Sequence, residues 1–177
     1  MKVAIFSDIH GNLEALEAIL EDIKKNQFDE VICLGDVIGI GPSPKECLQK
    51  IQEGNIRLLL GNHERCYLMK DDTLSIEEQK HYQWINSVLG EEYKSYLNSC
   101  ALSYKIQDVL FEHFIIEDET KVNPFVGLSD EKVISSKIKE VDAKLIFVGH
   151  QHRPFLADKM ICIGSSGCTK NNKTFYY

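Results

Sequence analysis

Apolar and polar positions follow two rhythms along this chain. Four short apolar runs, Val3 to Ser7, Glu30 to Leu34, Ile56 to Leu60 and Lys144 to Val148, are each followed at once by polar residues and glycine. Runs of that length with such flanks predict buried strands. Between them the spacing turns helical. Leu13, Leu16, Leu20 and Ile23 predict a first helix, and Cys47, Leu48 and Ile51 a second. The second starts at about Pro44, where Ser43, Pro44, Lys45 and Glu46 have the capping-box pattern with proline at the first helical position. His81, Trp84, Ile85 and Val88 suggest a helix within Ser75 to Leu89, and Glu91 to Leu97 another, together a covering layer.

Ala101 to Ile106 and Val109 to Glu112 alternate as two strands joined near Gln107 and Asp108, and His113 ends the second. Phe114 to Leu128 shows no period and reads as a loop. Val133, Ile134, Ile138 and Val141 predict a further helix capped by Ser129 or Asp130. Met160 to Ile163 and Thr174 to Tyr177 read as closing strands around the turn-rich stretch Gly164 to Lys173. Strands that alternate with helices imply a parallel sheet, whose sites lie beyond the carboxyl ends of its strands. Asp8, His10, Asp36, Asn62 and His63 would share that edge. Asp8 and His10, two apart in extended chain, would point the same way, and Gly11 lets the backbone turn after them.

With 177 residues, 44% of them hydrophobic, the chain can build one real core, so a single domain over 1–177 is expected. The net charge of -7 argues against extensive nucleic-acid binding, while bound divalent cations could still attract phosphate. No apolar run reaches the roughly 20 residues of a membrane span, and Met1 and Lys2 run directly into a strand with no signal-peptide pattern, so a cytoplasmic protein without membrane partners is expected. The six cysteines, Cys33, Cys47, Cys66, Cys100, Cys162 and Cys168, show no metal-knuckle or redox spacing and are expected reduced, with Cys66 nearest the chemistry.

Collected from the strand ends, Asp8, His10, Asp36, Asn62, His113, His150 and His152 form a mixed oxygen and imidazole set without thiolate. Seven ligands exceed one four-coordinate ion and suit two ions sharing a carboxylate, for which Asp36 has ligands on both sides. Two ions about 3.5 to 4 Å apart can hold a phosphoryl group, supply a bridging hydroxide and stabilise both attacking and leaving oxygens. Five of the six histidines fall in these blocks. His81 does not, and reads as a structural residue.

The blocks Asp8 Ile9 His10 Gly11 Asn12, Gly35 Asp36 Val37 Ile38 Gly39, Gly61 Asn62 His63 Glu64, His113, and Gly149 His150 Gln151 His152 resemble, in order, those of the calcineurin-like metallophosphoesterases, and of their small prokaryotic phosphodiesterase branch in particular. The resemblance implies an α/β fold: a four-layer αββα sandwich of two mixed sheets flanked by helices. It implies one metal on Asp8, His10, Asp36 and His152 and a second on Asp36, Asn62, His113 and His150. His63 would be the catalytic non-ligand that steadies the phosphate and protonates the leaving oxygen, and the hydroxide would attack phosphorus in line. Manganese is the first choice for both ions, with iron, nickel and zinc as alternatives.

The chain also departs from that pattern. Gly39, Ile40 and Gly41 stand where the protein phosphatase branch has Asp-Arg-Gly, which removes a phosphate-holding arginine and the aspartate that would orient His63 and argues against protein phosphatase activity. Phe114 stands where relatives often carry glycine, placed to crowd or stack over the pocket. Gly164 to Gly167 resembles the family's late glycine-serine turn without its preceding proline. Arg65 and Arg153 read as surface or salt-bridge residues, and Glu117 to Glu119 as a solvated loop. The expected activity is a metal-dependent phosphodiesterase or phosphomonoesterase acting on a small phosphate ester or nucleotide. The alternatives are a dinucleoside polyphosphate hydrolase and a catalytically weak metal-binding scaffold. A shallow, open pocket is expected from the short segment after His113, and a homodimer is among the open oligomeric states.

Overall fold

A computed structural model of the chain describes residues 1–69, 74–126, 131–167, 169–171 and 174–176. The expected caps Ser129 and Asp130, the thiol of Cys168 and the strand end Tyr177 lie outside the described residues. The chain opens with β1 (Val3–Phe6), α1 (Leu13–Asn26), β2 (Glu30–Cys33), α2 (Pro44–Glu53) and β3 (Arg57–Leu58). These strands form a wholly parallel three-stranded sheet in the order β1-β2-β3. Next come α3 (Asn62–Leu68), α4 (Ile76–Leu89) and α5 (Glu92–Asn98). The second sheet takes β4 (Ser103–Ile106), β5 (Val109–Glu112), β6 (Leu145–Val148), β7 (Pro154–Ala157) and β8 (Met160–Ile163), with α6 (Glu131–Glu140) between β5 and β6. Its order is β4-β5-β6-β8-β7, and it is mixed, with β5, β6 and β8 parallel. A hairpin of β9 (Thr169–Asn171) and β10 (Thr174–Tyr176) follows.

The period-2 pattern of the strands explains the layering. Ile5, Ile32, Leu34 and Leu59 of the small sheet meet Phe111, Phe147 and Ile163 of the large one. Their sequence neighbours Phe6, Cys33, Leu58 and Leu60 point the other way, into a core with Leu16 of α1, Leu48 and Ile51 of α2, Ile85 of α4 and Leu97 of α5. Ile146, Val148, Met160 and Cys162 face a third core with Ile138 of α6 and the loop residues Phe114, Ile115, Phe125 and Val126. Helices, small sheet, large sheet, then helix and loop make the expected four layers, each buried strand serving two cores because its side chains alternate.

Several local expectations are corrected. Ser43 precedes α2 but its side chain makes no capping hydrogen bond; its backbone N–H donates to the Gly11 carbonyl at 3.0 Å instead. On α4 the buried residues are Tyr82, Ile85 and Leu89, while Trp84 is 39% exposed. The buried face therefore runs through Tyr82, Ile85 and Leu89 and not through the expected His81, Trp84, Ile85 and Val88. β3 is shorter than expected: Leu59 N–H still donates to Cys33 O of β2 at 2.9 Å, but Leu59 also bridges Ala101, and Leu60 N–H donates to the Ala101 carbonyl at 2.9 Å. Phe114 to Val126 is irregular, as expected, yet four of its aromatic and aliphatic residues are buried. β9 falls in the stretch Gly164 to Lys173 read as turn-rich, and β7 in residues to which no element was assigned. Among the described residues, Cys33, Cys47, Cys66, Cys100 and Cys162 form no disulfide. Among the described residues, no helix is long and apolar enough to cross a membrane.

Candidate metal centre

The chain leaves β1 alongside the chain that leaves β2. Asp8 N–H donates to Gly35 O at 2.9 Å, His10 N–H to Asp36 O at 2.9 Å and Gly11 N–H to Val37 O at 2.7 Å, so pairing continues past both strands. It does so in an unusual conformation. Asp8, His10 and Asp36 have φ of 56°, 51° and 53°, and His150 and His152 have 64° and 53°. The extended-chain spacing expected to align Asp8 with His10 is therefore wrong in detail: left-handed backbone at both residues brings them to one place. Such φ values cost non-glycine residues energy and persist where surrounding bonds fix them. Those bonds come partly from the late turn, where Ser165 Oγ donates to Asp8 O at 2.8 Å and Gly167 N–H to the same carbonyl at 3.1 Å.

Asp36 stands at the centre. Its Oδ2 lies 3.2 Å from His113 Nε2 and 4.0 Å from His10 Nε2, and its Oδ1 accepts the His63 N–H at 2.9 Å. On one side, His10 Nε2 lies 3.7 Å from Asp8 Oδ1 and 2.8 Å from His152 Nε2, which is itself 3.2 Å from Asp8 Oδ1. On the other, Asn62 Oδ1 lies 3.2 Å from His113 Nε2 and 2.9 Å from His150 Nδ1. His113 Nδ1 donates to the Leu34 carbonyl at 3.1 Å, which commits Nε2 to the cluster. All seven expected ligands and His63 therefore meet at one place. Asp8, His10 and His152, and likewise Asp36, His113 and His150, each present ligand atoms within 4.8 Å of one another. Asp8, His10, Asp36 and His113 form a buried floor, and Asn62, His63, His150 and His152 are half-buried around it.

Burial opposes charge here, and the cluster overrules it in places. Burial would raise the Asp36 carboxyl, but His113 and His63 hold it well below the usual range. Burial would also raise Asp8, and the His152 hydrogen bond and His113 outweigh it. His113 is the mirror case: burial lowers it, and Asp36 lifts it to about 9. Burial dominates at His10 and His150, both lowered to about 4. Imidazole nitrogens 2.8 Å apart, as in His10 and His152, share at most one proton, and a cation satisfies both lone pairs instead. The donor set of imidazole, carboxylate and amide oxygen suits a borderline divalent cation.

Two buried supports have little sequence signal. Glu64, the last residue of its block, accepts four backbone N–H groups: Asp36 at 2.8 Å, Val37 at 2.8 Å, Ile38 at 3.1 Å and Gly61 at 2.9 Å. Burial and the Asp36 charge push it to about 7 even so. Tyr82 of α4 places its hydroxyl 2.8 Å from His63 Nδ1. Gly61 permits the close approach, since a Cβ there would sit 2.1 Å from Asp36 Oδ1.

The remaining expectations resolve plainly. Phe114 is fully buried in the third core with its ring centroid 5.6 Å from that of His150, so it backs that ring and does not stack over the pocket. Arg65 donates to the carbonyls of Glu119 at 2.7 Å, Val122 at 3.3 Å and Lys121, which ties it to the acidic loop. Arg153 is exposed. His81 packs beside Tyr82 with ring centroids 5.6 Å apart, and burial lowers its pKa.

The model of the calcineurin-like phosphoesterase family matches residues 1–154. An uncharacterized protein of Methanocaldococcus jannaschii is 34% identical over 165 residues, 87% of this chain. The chain spans 63% of that relative's length. Among solved structures, a metallophosphoesterase from Sphaerobacter thermophilus superposes with a TM-score of 0.72 at 24% identity, covering 94% of this chain and 77% of the other. A hypothetical protein of Pyrococcus horikoshii gives 0.73 at 19%, with the same coverage of both chains. A protein proposed as a diadenosine tetraphosphatase gives 0.68 at 17%, covering 93% and 83%. At these identities the solved structures establish likeness of fold.

Proposed function

The chain belongs to the calcineurin-like phosphoesterase family, and from that premise we propose that it is a metal-dependent phosphodiesterase for small phosphate esters or nucleotides. The observation that carries the reading is the place of Asp36, one carboxylate between the Asp8, His10, His152 group and the Asn62, His113, His150 group. The first group with Asp36 would hold one divalent cation and the second with Asp36 another, manganese being the first choice. Cations there supply Lewis acidity at the phosphoryl oxygens and acidify water for in-line attack.

The chain's own residues do the rest. His63 stands beside the first group, its ring centroid 4.9 Å from that of His10. With Nδ1 engaged by Tyr82, Nε2 is the nitrogen left to give a proton to the leaving oxygen as its bond to phosphorus breaks. The half-buried rim of Asn62, His63, His150 and His152 admits an ester to a floor that water reaches poorly. A dinucleoside polyphosphate hydrolase is the second reading, supported by the fold shared with the proposed diadenosine tetraphosphatase. A catalytically weak scaffold has no use for His63 beside the ligands.

Hydrolysis of bis(p-nitrophenyl) phosphate by the manganese-loaded protein tests the proposal. His63→Ala is expected to lower kcat by about 100-fold on methyl phenyl phosphate, whose leaving group needs a proton donor, and by less on the nitrophenyl ester, while manganese binding persists. Activity unaffected by chelation, or by His63→Ala, refutes it.

A further inference from the structure

The loop after β2 presents backbone, not a side chain, to His63. Gly39 has φ of +120°, and a Cβ there would lie 2.6 Å from His63 Nδ1 and 2.9 Å from Cγ. In this arrangement a side chain at that position collides with the imidazole instead of bonding to it, so the orienting group must come from elsewhere. It comes from α4. Tyr82 Oη lies 2.8 Å from His63 Nδ1 and also hydrogen-bonds with Cys66. The phenol ring is 9% exposed and packs with Ile85 and Leu89 in the core under the small sheet, so it cannot swing away cheaply.

We propose that Tyr82 is the positioning residue of His63, its hydroxyl accepting the Nδ1–H and fixing the ring so that Nε2 faces Asp36 and His10. The assignment rests on the reading of His63 as proton donor. When Nε2–H passes to the leaving oxygen and the P–O bond breaks, the bond electrons stay with that oxygen and Nδ1–H remains on Tyr82. The ring then ends neutral, in the tautomer that can take up the next proton at Nε2. A hydroxyl does this without adding a negative charge beside Asp8 and Asp36, which a carboxylate would. Steric exclusion at Gly39 and supply from Tyr82 are two halves of one arrangement.

The test compares leaving groups on manganese-loaded protein: methyl p-nitrophenyl phosphate, whose leaving group needs little protonation, and methyl phenyl phosphate, whose leaving group needs more. Tyr82→Phe is expected to lower kcat about tenfold on the phenyl ester and about twofold on the nitrophenyl ester, with KM shifted less than about twofold on either. His63→Ala is expected to show the same bias more strongly, and adding Tyr82→Phe to it should change the ratio no further. Equal losses on both esters, no loss on either, or a further change in the His63→Ala background overturns the assignment. An inactive wild type overturns the parent reading and this one together, whereas an active wild type with an indifferent Tyr82→Phe overturns this one alone. A measurement on the zinc-loaded wild type covers the case in which Tyr82→Phe does not fold. Nitrogen-15 spectra of its histidines should show the proton of neutral His63 on Nδ1, and finding it on Nε2 overturns the proposal.

Discussion

Oε2 of Glu64 accepts the backbone N–H of Asp36 at 2.8 Å, so a carboxylate outside the proposed ligand set fixes the one at its centre. Three more backbone donors, from Val37, Ile38 and Gly61, converge on the same side chain. Glu64→Gln turns an amide N–H₂ toward some of those donors and leaves them unpaired in a buried place. A loss of about 2 to 4 kcal/mol is expected, read as a fall of about 5 to 15 °C in Tm for a chain of this size. Manganese affinity, measured by calorimetry, should fall with it. An unchanged Tm would show that the four bonds carry no net stability.

Gly61→Ala places a methyl group 2.1 Å from Asp36 Oδ1 and 2.6 Å from Asp36 N. Neither atom can retreat without leaving its partners, so the carboxylate must turn. Bound manganese, counted by elemental analysis, is expected to drop to about one ion per chain or below. Full metal content in this variant would mean that Asp36 does not join the two groups.

Glu112 is 4% exposed, and its Oε1 has no hydrogen-bond partner among the described residues. Burial raises its pKa from 4.5 to about 8. Between those values the folded chain keeps a proton that the unfolded chain has released, so the stability Glu112 contributes at low pH is lost as pH rises through the folded value. Glu112→Gln stays neutral throughout. Its Tm should pull ahead of the wild type between about pH 5 and pH 8, by an amount on the order of a few kcal/mol in stability. Parallel pH profiles for the two proteins would refute this.

Arg65 spends its guanidinium on the carbonyls of Glu119, Lys121 and Val122. Arg65→Ala is expected to leave kcat/KM within about twofold and to speed amide exchange over residues 117–122. A KM raised much further would instead put this side chain on the substrate phosphate.

The strand-end ligands were legible because each follows a short apolar run, a pattern that depends only on burial and turn chemistry. Asp8, Asp36, Asn62, His113 and His150 could be gathered that way. The reason given for Asp8 and His10 was still wrong, since left-handed φ at both residues leaves no mark in the identities of aspartate and histidine. Glu64, named in its block but without a role, and Tyr82 are hidden for a different reason. A buried glutamate among backbone donors and a core tyrosine with one polar contact look, in sequence, like a helix surface residue and a packing residue. Only the partners that folding brings together, Ile38 and Gly61 for one and His63 for the other, reveal their work. The irregular segment after His113 hid its core residues because Phe114, Ile115, Phe125 and Val126 follow no regular period.

The eight residues of the cluster are drawn from both sheets. Asp8, His10, Asp36, Asn62 and His63 follow strands of the small one, and His113, His150 and His152 follow strands of the large one. Divalent cations held there would act as rivets through the sandwich, joining the first third of the chain to segments that fold up much later in sequence. The same ions that activate a phosphate ester would then keep the two halves from sliding apart, so starving the protein of metal would weaken its architecture along with its chemistry.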